Sequence, residues 1–221
     1  MSSTPKHRPL LVQHYDLYLA NQDIGVFVRR VLQKYTIGAL ERLAQSGDRT
    51  ARRAAVLALG QTAEYSSNAV LGRALIDADR GVRTLAENSI RRVWMRVGTQ
   101  YQRRRLAAID QRLADKDFPG ASQLATVLVQ EAPWIAEVWY QRGRAYFQLG
   151  QFEAASRDCH QALEINAYHF PAASTMGQAY LRLGDQPLAL ESYRRALRLN
   201  PSMEEVRAQV IQLQRSLKEK P

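Results

Sequence analysis

Identical residues recur 34 positions apart in the second half of this 221-residue chain, among them seven pairs of Gly, Tyr, Ala, Leu and Asn. A fixed period of about 20 to 50 residues marks structural units that stack on one another, because every unit repeats the same packing contacts. The period therefore predicts a repeat protein. The pairs are Gly143 and Gly177, Tyr146 and Tyr180, Gly150 and Gly184, Ala155 and Ala189, Ala162 and Ala196, Leu163 and Leu197, and Asn166 and Asn200.

Each 34-residue unit has the pattern of two helices. In the first complete unit we predict helices over 136–149 and 152–165, with Gly150 between them in the left-handed conformation that ends a helix. Gly143 and Ala155 are small and lie where the two helices of one unit approach closely. Because Ala, Leu, Arg, Gln and Glu are abundant and favour helix, we expect helix almost throughout the chain.

The spacing and residue types resemble the tetratricopeptide repeat, whose pattern is W-x2-L-G-x2-Y, then A-x3-F, then A and P. The first unit departs from this pattern at Arg142, Cys159 and Ala167, and the second departs at Ala173. We also predict an incomplete earlier repeat over 102–133 and a capping helix over 203–217. The matching residues are Trp139, Gly143, Tyr146, Ala155 and Ala162, followed by Gly177, Tyr180, Ala189, Ala196 and Pro201.

The first half of the chain has a shorter period of 31 residues, which aligns Asp48 with Asp79 and Arg52 with Arg83. This half is similar to HEAT-like repeats of the phycocyanobilin-lyase type, which carry an Asp in the turn between helices and a Val-Arg-x-Ala-Ala start to the second helix. We expect each Asp to pair with the Arg four residues later, at the start of a helix. An active-site role for these pairs is the alternative.

These patterns predict an all-α fold, a right-handed α–α solenoid of stacked antiparallel helix pairs. Residues 1–22 are predicted to be a basic, partly disordered segment, and residues 23–98 a HEAT-like domain. Its first helix is expected over 24–35, capped by Asp23. Residues 99–221 are predicted to form a tetratricopeptide domain of about three repeats and a capping helix.

No motif in the chain indicates catalysis. Cys159 is the only cysteine, so an intramolecular disulfide is excluded, and His160 and His169 lack the spacing of helical metal ligands. We therefore predict no catalytic residue, no metal and no cofactor. No segment approaches the roughly 18 to 20 apolar residues of a membrane span, and the first apolar run is too short for a signal peptide. We expect a cytoplasmic protein that makes no contact with membranes.

The leading functional hypothesis is a scaffold that binds a peptide or helix of another protein. Trp139, Gly143 and Tyr146 are expected to face the core, so the residues one step round the helix would line the concave groove of the repeats. Aromatic and Arg side chains there would favour an apolar peptide with one or two acidic residues. The predicted groove residues are Glu137, Tyr140, Arg144, Phe147, Gln178, Leu181 and Arg182. In a second interpretation, Phe147 and Leu181 pack against the neighbouring repeat instead.

Some tetratricopeptide domains grip a terminal carboxylate through Lys, Asn and Arg, but that set of residues is missing here. The positions that match it are Leu106, Asp110, Gln141, Pro171 and Thr175. We therefore predict that a peptide ending in Glu-Glu-Val-Asp does not bind in the micromolar range.

An alternative hypothesis is nucleic-acid binding through the basic first half. The formal charge is 15 minus 8, or +7, over residues 1–101, and 16 minus 13, or +3, over residues 102–221. Arginines that share one face of a solenoid could follow a phosphate backbone. A bilin-lyase-like activity is a further alternative, although no acid, base and nucleophile converge. The candidate phosphate contacts are Arg52, Arg53, Arg91, Arg92, Arg96, Arg103, Arg104 and Arg105.

Overall fold

A computed structural model describes residues 9–219, and its regular structure is helical, with no strand among those residues. The predicted all-α class is therefore confirmed. A short 3-10 turn, Tyr65–Ser67, lies between α4 and α5. The α-helices are α1 Leu10–Asn21, α2 Ile24–Leu32, α3 Ile37–Ser46, α4 Arg49–Thr62, α5 Asn68–Ala74, α6 Arg80–Trp94, α7 Gln100–Ala114, α8 Phe118–Glu131, α9 Ala136–Gln148, α10 Phe152–Ile165, α11 Phe170–Arg182, α12 Gln186–Leu199 and α13 Glu204–Glu219.

The described residues divide into two compact units, one that runs up to Val93 and one that begins at Trp94. The domain boundary expected from the repeats, after residue 98, falls slightly later in the chain. Each unit has its own helices and its own buried apolar residues.

The first unit is built around α4, from which eight residues are buried. Small residues allow its neighbours to approach closely: Ser89 of α6 donates a hydrogen bond to the backbone oxygen of Val56 at 3.0 Å. A Cβ on Gly60 would lie 2.1 Å from the Ser89 hydroxyl oxygen. Position 60 therefore requires glycine, because a side chain would separate α4 from α6.

The beginning of the chain is more ordered than the sequence indicated. Residues 1–8 lie outside the described residues, but α1 starts at Leu10, and Leu11 and Tyr15 are buried. Helix α2 begins after Asp23, whose carboxylate accepts the Val26 N–H at 2.9 Å, as predicted. It ends at Leu32, three residues before the predicted end at residue 35. The described part of this segment is helical, because apolar residues of α1 are buried.

The predicted local ion pair of Asp48 with Arg52 is wrong, and Arg83 donates to the backbone oxygens of Asp77 and Ala78 at 2.8 and 3.1 Å. Asp48 and Asp79 use their carboxylates to cap α4 and α6, accepting N–H groups at 2.9 Å. Arg52 binds Asp77 through two hydrogen bonds of 2.8 and 2.9 Å, and Arg53 binds Asp79 at 2.7 and 2.8 Å. The arginines therefore reach forward to the next helix pair, because a bidentate guanidinium–carboxylate contact is stronger than an exposed contact within one helix.

These bonds stabilise the charged form of both carboxylates. The Arg53 guanidinium, outweighing the effect of burial, holds the pKa of Asp79 down at about 2. Burial raises the pKa of Asp77, but the Arg52 guanidinium and the Asp79 backbone N–H together outweigh it, so that the net shift is downward. Both carboxylates thus stay ionised near neutral pH and link consecutive helix pairs of the first unit.

In the second unit, the helices pack mainly on their neighbours in sequence and on the helix two places along, as expected of stacked helix pairs. Gly150 and Gly184 end α9 and α11 with φ of 76° and 80°, so the predicted left-handed ends are confirmed. A Cβ on Gly143 would lie 3.0 Å from the Cys159 sulfur, and one on Gly177 2.7 Å from the Tyr193 ring. These glycines therefore allow the two helices of each repeat to pack closely.

The remaining helices of this unit, α7, α8 and α13, lie where an incomplete repeat and a capping helix were predicted, and that assignment stays a prediction. Helices α7 and α8 bury Leu106, Ile109 and Leu128 in one core cluster, against which Phe118 and Trp139 also pack. Helix α13 buries Val206, Val210 and Leu213 in the cluster that also holds Tyr193. Its opposite face is exposed and carries Ile211 among polar and small residues.

Candidate partner-binding surface

Three of the four predicted groove residues of α9, Tyr140, Arg144 and Phe147, form one half-buried stripe. The Arg144 guanidinium carbon lies 5.7 Å from the centre of the Tyr140 ring, and the guanidinium approaches the Asp110 carboxylate of α7 to 3.5 Å. The Arg144 and Asp110 side chains are 40% and 55% exposed. Exposed ion pairs of this kind contribute little stability, so the guanidinium can exchange Asp110 for an incoming carboxylate at small cost.

A second aromatic and basic cluster lies at the far end of the stripe. The rings of Phe147 and Phe152 meet edge to face with centres 5.4 Å apart, and the guanidinium carbon of Arg182 lies 4.6 Å from the centre of the Phe152 ring. Phe152 is half-buried. Its contact with Arg182 depends on helices from two repeats and leaves no local signal in the sequence.

Gln178 and Leu181 of α11 differ in their surroundings. The Gln178 side chain is exposed, as a groove residue requires. Leu181 is half-buried and packs on the core cluster, which agrees with the second interpretation for that residue. Phe147 packs on Phe152 at an accessible edge. The stripe therefore offers Tyr140, Arg144 and Gln178, with Phe147 beside them.

Glu137 does not line an open groove, so its predicted role is corrected here. Its side chain is buried, and one carboxylate oxygen lies 3.0 Å from Nε2 of the buried His169. The other oxygen accepts a hydrogen bond from the Gln141 amide at 3.3 Å. His169 Nδ1 accepts the Ala172 N–H at 3.2 Å and caps α11. Because Nδ1 is an acceptor, Nε2 carries the ring proton and donates a hydrogen bond to Glu137.

The His169 ring also orders the aromatic residues around it. Trp94 stacks on it, with ring centres 4.4 Å apart and planes at 12°, and Tyr140 lies 4.6 Å away on a tilted plane. Sequence reasoning considered His169 only as a metal ligand and missed this role. Tyr140 is therefore held in place by buried contacts, which reduces the conformational entropy that it would lose on binding a partner.

Arg142, which departs from the repeat pattern, is part of a buried ion pair. It donates two hydrogen bonds of 2.6 and 2.8 Å to Asp158 of α10. Its guanidinium carbon lies 4.9 Å from the centre of the Trp139 ring and 5.6 Å from that of Tyr146. Bonding to Asp158 raises the pKa of Arg142. This arginine therefore holds two helices of one repeat together and is not available to a ligand.

Most of the arginines predicted to contact phosphate already have protein partners. Besides Arg52 and Arg53, Arg91 pairs with Glu87 at 3.3 Å, and Arg105 binds Glu131 at 2.9 Å. Arg103 donates to the backbone oxygen of Gly98 at 3.0 Å. Arg92 and Arg104 are exposed, and Arg96 is half-buried. These pairs neutralise much of the positive charge on which the nucleic-acid hypothesis depends.

The positions that match a terminal-carboxylate grip present no cation. Leu106, Gln141, Pro171 and Thr175 are buried, and the fifth position, Asp110, is acidic. The Gln141 amide is engaged with Glu137 and with the Met95 sulfur at 3.7 Å. Within the described residues, no group of three or more His, Cys, Asp or Glu side chains could hold a metal ion. None of the described helices is long and apolar enough to cross a membrane.

Comparison with known families identifies the repeats. Residues 136–169 and 171–203 each match the tetratricopeptide repeat family, so the second unit contains two tetratricopeptide repeats. Their bounds coincide with the helix pairs α9–α10 and α11–α12. The HEAT-like resemblance of the first unit stays a prediction.

Two curated relatives are similar to part of this chain. A rice protein SGT1 homolog is 33% identical over 82 residues, which are 37% of this chain and 20% of that protein. Human superkiller complex protein 3 is 32% identical over 100 residues, which are 43% of this chain and 6% of that protein. The chain thus spans a small fraction of either relative.

Solved structures confirm the repeat fold. The first tetratricopeptide domain of Spaghetti (RPAP3), bound to the HSP90 peptide SRMEEVD, is 24% identical with a TM-score of 0.53, covering 56% of this chain and 98% of that one. The Sgt2 tetratricopeptide domain of Aspergillus fumigatus is 22% identical with a TM-score of 0.52, covering 56% and 83%. At these identities the likeness shows the fold alone.

Proposed function

We propose that this protein is a non-catalytic scaffold whose tetratricopeptide repeats bind a segment of a partner protein. The observation that carries the proposal is the stripe on α9 and α11, where Tyr140 is held between a buried histidine and the accessible Arg144. Aromatic rings and arginines dominate binding energy at interfaces because they bury a large area with few torsions to freeze. The fold supports the same function, since similar domains are known with a bound peptide.

The surface favours a segment with apolar and acidic side chains. The guanidinium groups of Arg144 and Arg182 lie beside the aromatic rings of Tyr140 and Phe152, so a carboxylate and an apolar group can be bound side by side. Among the residues that the structure describes, the ion-pair partner of Arg144 is the exposed Asp110 at 3.5 Å. We propose an internal acidic and apolar segment as the ligand, bound without recognition of a terminal carboxylate.

The first unit has a supporting role in this proposal. Its arginines join consecutive helix pairs through Asp77 and Asp79, which suits a rigid extension or a second surface better than a phosphate-binding site. We place the whole protein in the cytoplasm, with the second unit as its binding part.

A selection from a random peptide library on the immobilised full chain tests this function. Enriched peptides should combine acidic and apolar residues, and the variant with Arg144→Ala and Arg182→Ala should bind them at least about 30-fold more weakly, as expected when two interface arginines are lost. Arg157→Ala is the matched control, because Arg157 is exposed on α10, away from the stripe. Equal binding by the double variant and the wild type would refute the proposed groove.

The peptide SRMEEVD provides a second arm of the experiment. Since the gripping positions present no cation, its binding should be weaker than micromolar. Binding in the micromolar range or tighter would show that the groove has been assigned to the wrong residues.

A further inference from the structure

Helix α13 carries two stripes of residues, each with alternating spacings of four and three along the sequence. One stripe, Val206, Val210, Leu213 and Leu217, packs against the core of the second unit. The other consists of Glu204, Ala208, Ile211, Arg215 and Lys218, and every member is exposed. Alternating steps of four and three keep residues on one face of a helix, so the second stripe is a continuous surface facing away from the core.

The exposed stripe of α13 corresponds to the face of the first helix that, in the other repeats, is covered by the second helix. Ile211 lies 34 residues after Gly177, and in that repeat the position is packed against the Tyr193 ring. On α13 the Ile211 side chain is 44% exposed. It borders an open cavity of about 470 Å³ that is lined by Ala208, Ile211, Gln212, Arg215 and Ser216. The described residues therefore leave this apolar contact position uncovered.

The charges along the stripe are ordered in a way that indicates the occupant. Glu204 and Glu205 lie in the first turn of α13, and Arg215 and Lys218 lie towards its end. Glu204 and Lys218 are each seven residues from Ile211, on either side. If two copies of this helix lay antiparallel with their Ile211 residues in contact, each Glu204 would face Lys218 of the other copy.

From this self-complementary pattern we infer that α13 is a dimerisation surface, and that a second copy of the same chain packs on it antiparallel. The central contact joins the two Ile211 side chains, and the small Ala208 lets the helices approach closely. An ion pair between Glu204 and Lys218 forms at each end of the interface. A two-fold axis repeats every contact, which is the usual symmetry of a homodimer.

The association is weak. The ion pair of Glu204 with Arg207 at 3.1 Å is exposed, with the Glu204 side chain 77% exposed, so Glu204 can turn to Lys218 of the second copy at little cost. One pair of helices buries less than the roughly 1,200 to 2,000 Å² of a stable interface. We therefore expect a dissociation constant on the order of tens of micromolar, which falls within the range of transient complexes.

Sedimentation velocity of the full chain over a series of concentrations tests the dimer. The wild type should shift from monomer to dimer between about 10 and 200 μM. Ile211→Glu should remain monomeric throughout, whereas Val127→Glu, which changes a similarly exposed residue of α8, 42% exposed, should dimerise like the wild type. A wild type that stays monomeric at 200 μM, or an Ile211→Glu variant that dimerises equally well, would overturn the inference.

Charge reversal tests the pairing directly. Glu204→Lys and Lys218→Glu should each weaken the dimer, because each places like charges in contact across the interface. The two changes in one chain should restore it. If the double variant is as weak as the single variants while all of them melt like the wild type, the proposed antiparallel register is wrong.

Cross-linking through single cysteines tests the orientation. Cys159 is buried, and burial raises the pKa of its thiol, so it stays unreactive. With a short bismaleimide, Ile211→Cys should cross-link to itself. Glu204→Cys and Lys218→Cys should cross-link when mixed but not alone. Self-cross-linking of Glu204→Cys would show a parallel pair and contradict the proposed geometry.

Discussion

Replacing Arg142 by leucine restores the residue that the repeat pattern has at this position, yet the change should destabilise the protein. Arg142→Leu removes two charge-assisted hydrogen bonds of 2.6 and 2.8 Å and leaves the Asp158 carboxylate, 5% exposed, without a counter-ion. Removing one partner of a buried ion pair costs about 3 to 5 kcal/mol. Because the Arg142 side chain is 13% exposed, we expect the lower end, about 3 kcal/mol.

A second substitution should restore the stability that Arg142→Leu removes. In the double variant Arg142→Leu with Asp158→Ala, no buried charge remains, so most of the loss should be recovered. Urea unfolding of the wild type, both single variants and the double variant gives the coupling free energy, which should exceed about 1.5 kcal/mol. A coupling free energy near zero, or an Arg142→Leu variant as stable as the wild type, would refute the reasoning.

Two further changes test the packing and the charges. Gly177→Ala places a Cβ 2.7 Å from the Tyr193 ring and should cost about 1 to 3 kcal/mol, seen as a lower melting temperature. Ala145→Gly, by comparison, would not relieve any clash. An unchanged melting temperature of the Gly177→Ala variant would contradict the packing described for this repeat. The pKa of Asp79 is lowered to about 2, so the stability that this carboxylate contributes is complete above about pH 4 and is lost as the pH falls towards 2. Asp79→Asn should flatten the pH dependence of the free energy of urea unfolding in that range. An unchanged pH dependence in the variant would show that the Arg53 bond does not stabilise the first unit.

The helix pairs could be predicted from the sequence because their determinants are local and periodic. Gly150 and Gly184 adopt positive φ where a helix has to end, and Gly143 and Gly177 recur where two helices meet. Such positions constrain the backbone by themselves, and the 34-residue spacing reveals them. The bounds of α9 and α10 therefore agree with the prediction to within one residue.

The contacts that modify the candidate site could not be predicted in this way. Helical spacing places Glu137 on the same side as Tyr140, but its burial depends on His169, which lies 32 residues away in the sequence. Arg52 has an acidic residue four positions before it and binds Asp77 instead. Side-chain partners at these distances are set by tertiary packing, which a single sequence does not report.

The central claim, that the second unit binds a segment of a partner protein, is tested most directly by nuclear magnetic resonance of the full chain with a peptide from the library selection. Changes in amide chemical shift on titration should concentrate at Tyr140, Arg144, Phe147 and Gln178. The double variant with Arg144→Ala and Arg182→Ala should lose these changes. Shifts confined to residues 9–93, with the stripe unaffected, would contradict the account and move the binding site to the first unit.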